Sequence, residues 1–171
     1  MKKILLISIF ILISALSAQA NEIKRIFVGN ESAKISIIAF ESLTCSYCAK
    51  FHQDVYPLLK KEFLDTGLAK IEFRHFPLDI AAFNASKVAQ CTNDGNLEIL
   101  ESLYANQQKW VKGSSIEEAN INLQKFLSKE GFNIDFESCI NNKQIEDFVL
   151  NDRIDGAKNF KVNATPTIII N

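Results

Sequence analysis

The sequence predicts an α/β fold: a strand, a helix and a second strand in succession, then a long helical block, then one late strand. Three observations carry this reading. Lys34 to Phe40 is rich in β-branched and aromatic residues, Phe51, Val55, Leu58, Leu59 and Phe63 recur at helical spacing, and Leu68 to Phe76 alternates as a strand does. From about residue 79 to 160 the pattern is helical. Strand character returns only at Thr167 to Ile170.

Taken in order, the chain opens with Lys2 and Lys3, a mostly apolar run from Ile4 to Leu16, and Ala18-Gln19-Ala20, small residues at the two positions a signal peptidase reads. Residues 1–20 therefore read as a cleaved secretory signal, since the apolar run falls short of the roughly 20 residues a bilayer span requires. Residues 21–171 are long enough for one domain with a sizeable core. The net charge of −1 becomes more negative once Lys2 and Lys3 leave, and no basic surplus points to nucleic acid. The first strand should lead into a helix that Pro57 kinks, because proline lacks the N–H that the helix interior needs. Asp65-Thr66-Gly67 stops that helix. In the helical block Ala81, Ala85 and Val88 share a face, Ser114 and Glu117 form a capping box for a helix ending at Gly131, and further helices are expected near Asp135 to Asn141 and from Lys143 to Phe160.

Cys45-Ser46-Tyr47-Cys48 falls where the first strand turns into the helix. Unpaired amides of a first helical turn and the positive end of the helix dipole favour an anion, so Cys45 there becomes available as thiolate, the reactive form. Cys48, one turn on, would be the resolving partner. This pattern points to thiol–disulfide exchange, with a structural disulfide as the plain alternative. Haem attachment is excluded because Ala49, not histidine, follows Cys48. A zinc site lacks a second close pair, since Cys91 and Cys139 lie far apart and His52 and His75 supply no set. No metal or other cofactor is implied.

The order of elements describes a thioredoxin-like sheet carrying a helical insertion at about 79–160. Here the chain resembles the DsbA-like family of exported thiol oxidoreductases. The resemblance rests on the strand before Cys45-Ser46-Tyr47-Cys48, on Phe51-His52 with Pro57, on Tyr104-Ala105-Asn106-Gln107, and on Val162-Asn163-Ala164-Thr165-Pro166-Thr167. It implies a cis Pro166 facing the cysteine pair, and a Thr165 backbone that binds substrate peptide. It also implies a periplasmic location, reduced exported proteins as substrates and a quinone-linked membrane protein as reoxidant. Related isomerases and reductases often carry an added dimerisation region, which is not evident here, so a monomer is expected. An isomerase or reductase of the same fold is the next reading. A copper carrier using Cys45 and Cys48 as soft ligands is the rival from another class, opposed by the lack of methionine beyond Met1.

Three departures from the family pattern bear on chemistry. Ala39 stands where many relatives carry an acid; Glu41, two residues on and on the same strand face, is a candidate proton acceptor for Cys48, with a solvated strand-end residue as the alternative. Ser46 and Tyr47 place no cation beside the thiolate. Ala164 replaces a frequent glycine. Thioredoxin lies near −270 mV with a thiol pKa of about 7 and DsbA near −120 mV with about 3.5. That gap is about 7 kcal/mol, nearly 5 of it from the thiolate. Without an imidazolium neighbour, an oxidant of intermediate strength is expected.

Cys91 and Cys139 most economically pair with each other as a structural disulfide; two buried thiols are the alternative. Closing a loop of roughly 50 residues is worth about 4 kcal/mol in the chain-entropy model. His52 and His75 are expected as partly exposed polar residues, and Phe63, Phe126 and Trp110 as core. The thioredoxin-like fold ordinarily adds a strand and a terminal helix after the late strand. With Asn171 following directly, the expectation is a truncated chain with an unpaired edge, uncovered apolar surface and a tendency to aggregate.

Overall fold

The computed structural model describes residues 22–171, so the expected signal at residues 1–20 lies outside the described residues. Four strands form one sheet in the order β1-β3-β2-β4: β1 Ile26–Gly29, β2 Ile35–Glu41, β3 Ala69–His75 and β4 Thr167–Ile170. β2 and β3 are parallel, with Ile37 opposite Ile71 and Ala39 opposite Phe73, while β1 and β4 run antiparallel to β3 and β2. Parallel neighbours need a crossover, and the helical segment after Cys45 supplies it. Sequence reading missed β1, a run of only four residues, Ile-Phe-Val-Gly, directly after the charged pair Lys24-Arg25.

The crossover begins as α1 (Ser46–Lys50), widens into a π-helical turn over Phe51–Val55, resumes as α2 (Tyr56–Leu59) and widens again over Lys60–Leu64. Pro57 has no N–H to offer, and the helix accommodates it by loosening the preceding turn: the Tyr56 amide donates to Phe51 O, five residues back. The expected disturbance at Pro57 thus takes the form of a wide turn.

Between β3 and β4 lie α3 (Ile80–Gln90), α4 (Glu98–Ala105), α5 (Gln107–Trp110), α6 (Ile116–Lys129), α7 (Phe136–Ile140) and α8 (Lys143–Asn159). The buried face of α3 runs through Ala82, Ala85, Val88 and Ala89; Ala81, expected on that face, is only half-buried. The capping box of α6 is displaced by one residue from Ser114 and Glu117: Ser115 is the N-cap and accepts from the Glu118 amide, while the Glu118 carboxylate accepts from Ser114 N and Oγ. Both serines are followed by a glutamate three residues later, so local sequence could not choose between them. α6 ends as expected at Gly131, which takes φ +89 while Phe132 N bonds Leu127 O and Gly131 N bonds Ser128 O. Those two bonds satisfy carbonyls the helix end would otherwise orphan.

The main core packs Ile37, Ala39, Ile71 and Phe73 of the sheet against the crossover helix and α3, α4, α6 and α7. Trp110 and Phe126 belong to it, whereas Phe63 is exposed, because the second wide turn carries it off the buried face. On the other side Phe40, Phe76 and Val162 form a smaller cluster with Phe160. There α8 approaches so closely that a Cβ on Gly156 would sit 2.8 Å from the Phe40 ring. Cys91, after α3, and Cys139, in α7, form a disulfide that ties two helices of the block together.

Candidate active site

Cys45 is the residue that begins α1, in extended geometry at φ −77 and ψ 119, and Cys48 lies one turn in. The loop from β2 into α1 is held from several sides. Phe76 N donates to Glu41 O, Leu78 N to Ser42 Oγ, and Thr44 Oγ1 to Asp79. From α5 the Gln107 amide donates to both Leu43 O, at 2.8 Å, and Cys45 O, at 3.0 Å. Gln107 came into the sequence reading only as part of a family phrase. Its anchoring role has no signature in local spacing, because its partners lie more than sixty residues away.

Thr165-Pro166 is a cis peptide bond, and its loop lies against the pair: the Cys45 thiol donates to Thr165 O at 3.3 Å. Both cysteines are free thiols, Cys45 half-exposed and Cys48 fully buried. Their acidities diverge. Burial works against ionisation of Cys45, but hydrogen bonding from the Thr165 hydroxyl, from Cys48 and from the Tyr47 amide outweighs it, so the thiol lies below its ordinary 9.0. Burial pushes Cys48 strongly up, the Glu41 carboxylate pushes it further, and hydrogen bonds to Ser42 and Thr165 only partly offset both. Ser46 and Tyr47 are exposed and supply no cation to the thiolate; Lys50 instead lies over the Tyr47 ring at 5.9 Å.

Glu41 is not the solvated strand-end residue that stood as the alternative: it is 3% exposed, and its Oε2 lies 2.8 Å from His52 Nε2. The expectation that both histidines are partly exposed is likewise corrected. His52 is walled in by Tyr56, Phe73 and Tyr104, and His75 is buried with Nε2 3.2 Å from Gln90 Oε1. Burial holds the His75 imidazole below its ordinary pKa despite the Asp152 carboxylate, so the ring favours the neutral form. Polar letters at alternate strand positions read as surface until the partner element is known. Here the partners arrive from α2, α3, α4 and α8.

A cavity of about 440 Å³ opens beside this cluster, lined by His52, Tyr56, Lys60, Glu101 and Tyr104 among others. Among the described residues no group of three or more His, Cys, Asp or Glu is arranged to hold a metal ion.

Comparison with known proteins places this geometry. The family model described as Thioredoxin matches residues 21–171. The crystal structure of Wolbachia pipientis alpha-DsbA1 superposes with a TM-score of 0.76 at 29% identity, covering 85% of this chain and 74% of that one. Bacillus subtilis BdbD, in its oxidised form, superposes with a TM-score of 0.65 at 23% identity, covering 86% of this chain and 81% of that one, a likeness that shows the fold. Among curated relatives, a provisionally named protein-disulfide oxidoreductase of Rickettsia typhi is 25% identical over 84% of this chain and 53% of its own length. Disulfide bond formation protein D of Bacillus subtilis is 26% identical over 84% and 66% respectively. The chain spans about half the length of the first of these relatives.

Proposed function

Since the chain belongs to the thioredoxin family, DsbA-like in its neighbours, we propose that it is a thiol–disulfide oxidoreductase that introduces disulfides into exported proteins through Cys45 and Cys48. One observation carries this reading: two thiols one helical turn apart are driven in opposite directions, Cys45 toward thiolate at the surface and Cys48 toward thiol in the interior. A structural pair has no use for such asymmetry. An exchange catalyst does, because the exposed sulfur must be both a good electrophile and a good leaving group, and the buried one must stay with the protein.

In the oxidised enzyme a substrate thiolate attacks Cys45 Sγ, the Cys45–Cys48 bond breaks, and Cys48 leaves with the electron pair and takes up a proton. A second substrate thiolate then attacks the substrate sulfur of the mixed disulfide, and Cys45 departs as a thiolate that its hydrogen bonds stabilise. The substrate gains a disulfide and the enzyme holds two reduced cysteines. Glu41, buried and raising the pKa of Cys48, is the carboxyl group assigned to give and take the Cys48 proton. Thr165 and Pro166 form the substrate-facing wall beside Cys45, and Ser46 and Tyr47 adjust the thiolate by exposure rather than by charge.

Residues 21–171 act as one domain with the helical insertion at about 79–160. The site of action is the periplasm, reached through the signal at residues 1–20; the Cys91–Cys139 disulfide fits an oxidising compartment. Reduced exported proteins are the substrates, a quinone-linked membrane protein the reoxidant, and the monomer the working form. The test is a pair of variants: Cys48→Ser should accumulate mixed disulfides through Cys45, and Cys45→Ser should lose oxidation of reduced peptides. Variants both as active as the wild type would defeat the proposal.

A further inference from the structure

Among buried groups that the thiol chemistry does not itself use, His52 is the one tied to it. Its Nε2 lies 2.8 Å from Glu41 Oε2, with both side chains almost wholly buried. Among the described residues the second carboxylate oxygen, Glu41 Oε1, is buried without a hydrogen-bond partner, and so is His52 Nδ1. These two orphaned atoms decide how the pair is bonded. With Glu41 ionised, a neutral imidazole carrying its proton on Nε2 donates to Oε2 and leaves only a lone pair unmatched at Nδ1, whereas an imidazolium would bury an unpaired N–H.

The ring is also held against rotation. It stacks on Tyr104 at 4.2 Å and 19°, and packs against Phe73 at 5.3 Å and Tyr56 at 5.4 Å. The ionisable groups around it are Glu41 from β2, Cys48 from α1, Tyr56 from α2, and Tyr104 and Glu101 from α4, with Lys60 across the cavity. Among the described residues only Glu41 forms a hydrogen bond with it.

We propose that His52 is a positioning residue for disulfide exchange: its Nε2–H fixes one oxygen of Glu41, leaving the other free for the proton of Cys48. The proposal rests on the oxidoreductase reading and deepens it. When reduced Cys48 closes onto a mixed disulfide, the Sγ–H bond breaks and the proton goes to Glu41 Oε1. The electron pair left on Cys48 Sγ forms the bond to Cys45 Sγ, and the partner sulfur leaves as thiolate. Without His52 the carboxylate turns to satisfy itself elsewhere, and this step slows while attack by Cys45 does not.

Reaction of the reduced protein with dithiobis(nitrobenzoate) resolves the two steps, since Cys45 attack releases one chromophoric thiolate and Cys48 closure a second. In His52→Ala the second release is expected to slow about 10- to 100-fold, part of the 10²–10⁴ that a placed general base supplies, with its pH profile displaced and the first release unchanged. His52→Gln, which retains a side-chain N–H, should recover most of the rate. Added imidazole should accelerate the alanine variant, because the hole it leaves adjoins the cavity that His52 lines. Should His52→Ala not fold, His52→Phe keeps an aromatic stack without a donor and must show the same slow second step. The proposal is overturned by a wild-type second release in these variants, or by equal slowing in the alanine and glutamine variants with no response to imidazole. Failure of the wild type to give any second release would instead strike the oxidoreductase reading.

Discussion

Replacing Gly156 with alanine sets two effects of opposite sign against each other in the last turn of α8. Alanine is favoured over glycine in a helix interior by about 0.8–1 kcal/mol. The added methyl, however, would lie 2.8 and 2.9 Å from two atoms of the Phe40 ring and 3.1 Å from Phe76. Neither ring has free space to retreat into. Phe40 is 0% exposed, with Phe76 edge-on at 6.4 Å, Phe160 tilted against it at 5.3 Å, and the Arg74 guanidinium 5.6 Å from its centroid. Overpacking of this kind costs about 1–3 kcal/mol, and more when two rings must move together. The clash wins, and the variant should lose about 1–2 kcal/mol. With a urea slope of about 2 kcal/mol/M, the middle of the usual range, the unfolding midpoint falls by roughly 0.5–1 M. Phe40→Leu in the same background removes the atoms that clash, so the double variant should be less unstable than the two single losses combined. A midpoint for Gly156→Ala at or above the wild type would refute the reasoning and show that α8 can slide off the sheet at little cost.

Three other outcomes follow from the cysteines. Joint replacement of Cys91 and Cys139 by alanine opens a loop with a sequence separation of 48 and should lower stability by about 4 kcal/mol, read by urea unfolding, while alkylation of Cys45 stays unaffected; an unchanged midpoint would mean that the bond holds nothing together. In reduced protein, iodoacetamide should modify Cys45 with a pH midpoint below 9.0 and spare Cys48 throughout the ordinary thiol range. Linkage gives the matching stability signs. Cys45, depressed in the fold, contributes stability that is lost as pH falls through its folded value, and Cys48, raised in the fold, contributes stability present below 9.0 and lost as pH rises beyond it. Chemical unfolding of reduced wild type against Cys48→Ala should therefore diverge above pH 9.0, and parallel curves would count against the raised thiol.

Local sequence determined the elements whose cause is local. Alternation marked β3, the helical pattern near Asp135 to Asn141 and from Lys143 onward marked α7 and α8, and the strand-to-helix junction placed the cysteine pair at the start of α1. The resemblance supplied the cis Thr165-Pro166 bond, which no residue pattern specifies by itself. Tertiary structure alone decided the fates of the polar residues. Glu41 and His52 are eleven residues apart and look like surface letters, yet the crossover helix lays one on the other in the interior. Gln107 reaches back to the loop before α1, and Phe63, apolar and at the right spacing, is turned outward by a wide turn. Which face a residue presents follows from its own neighbours in sequence. What meets that face depends on elements far along the chain, and burial and acidity are set by that meeting.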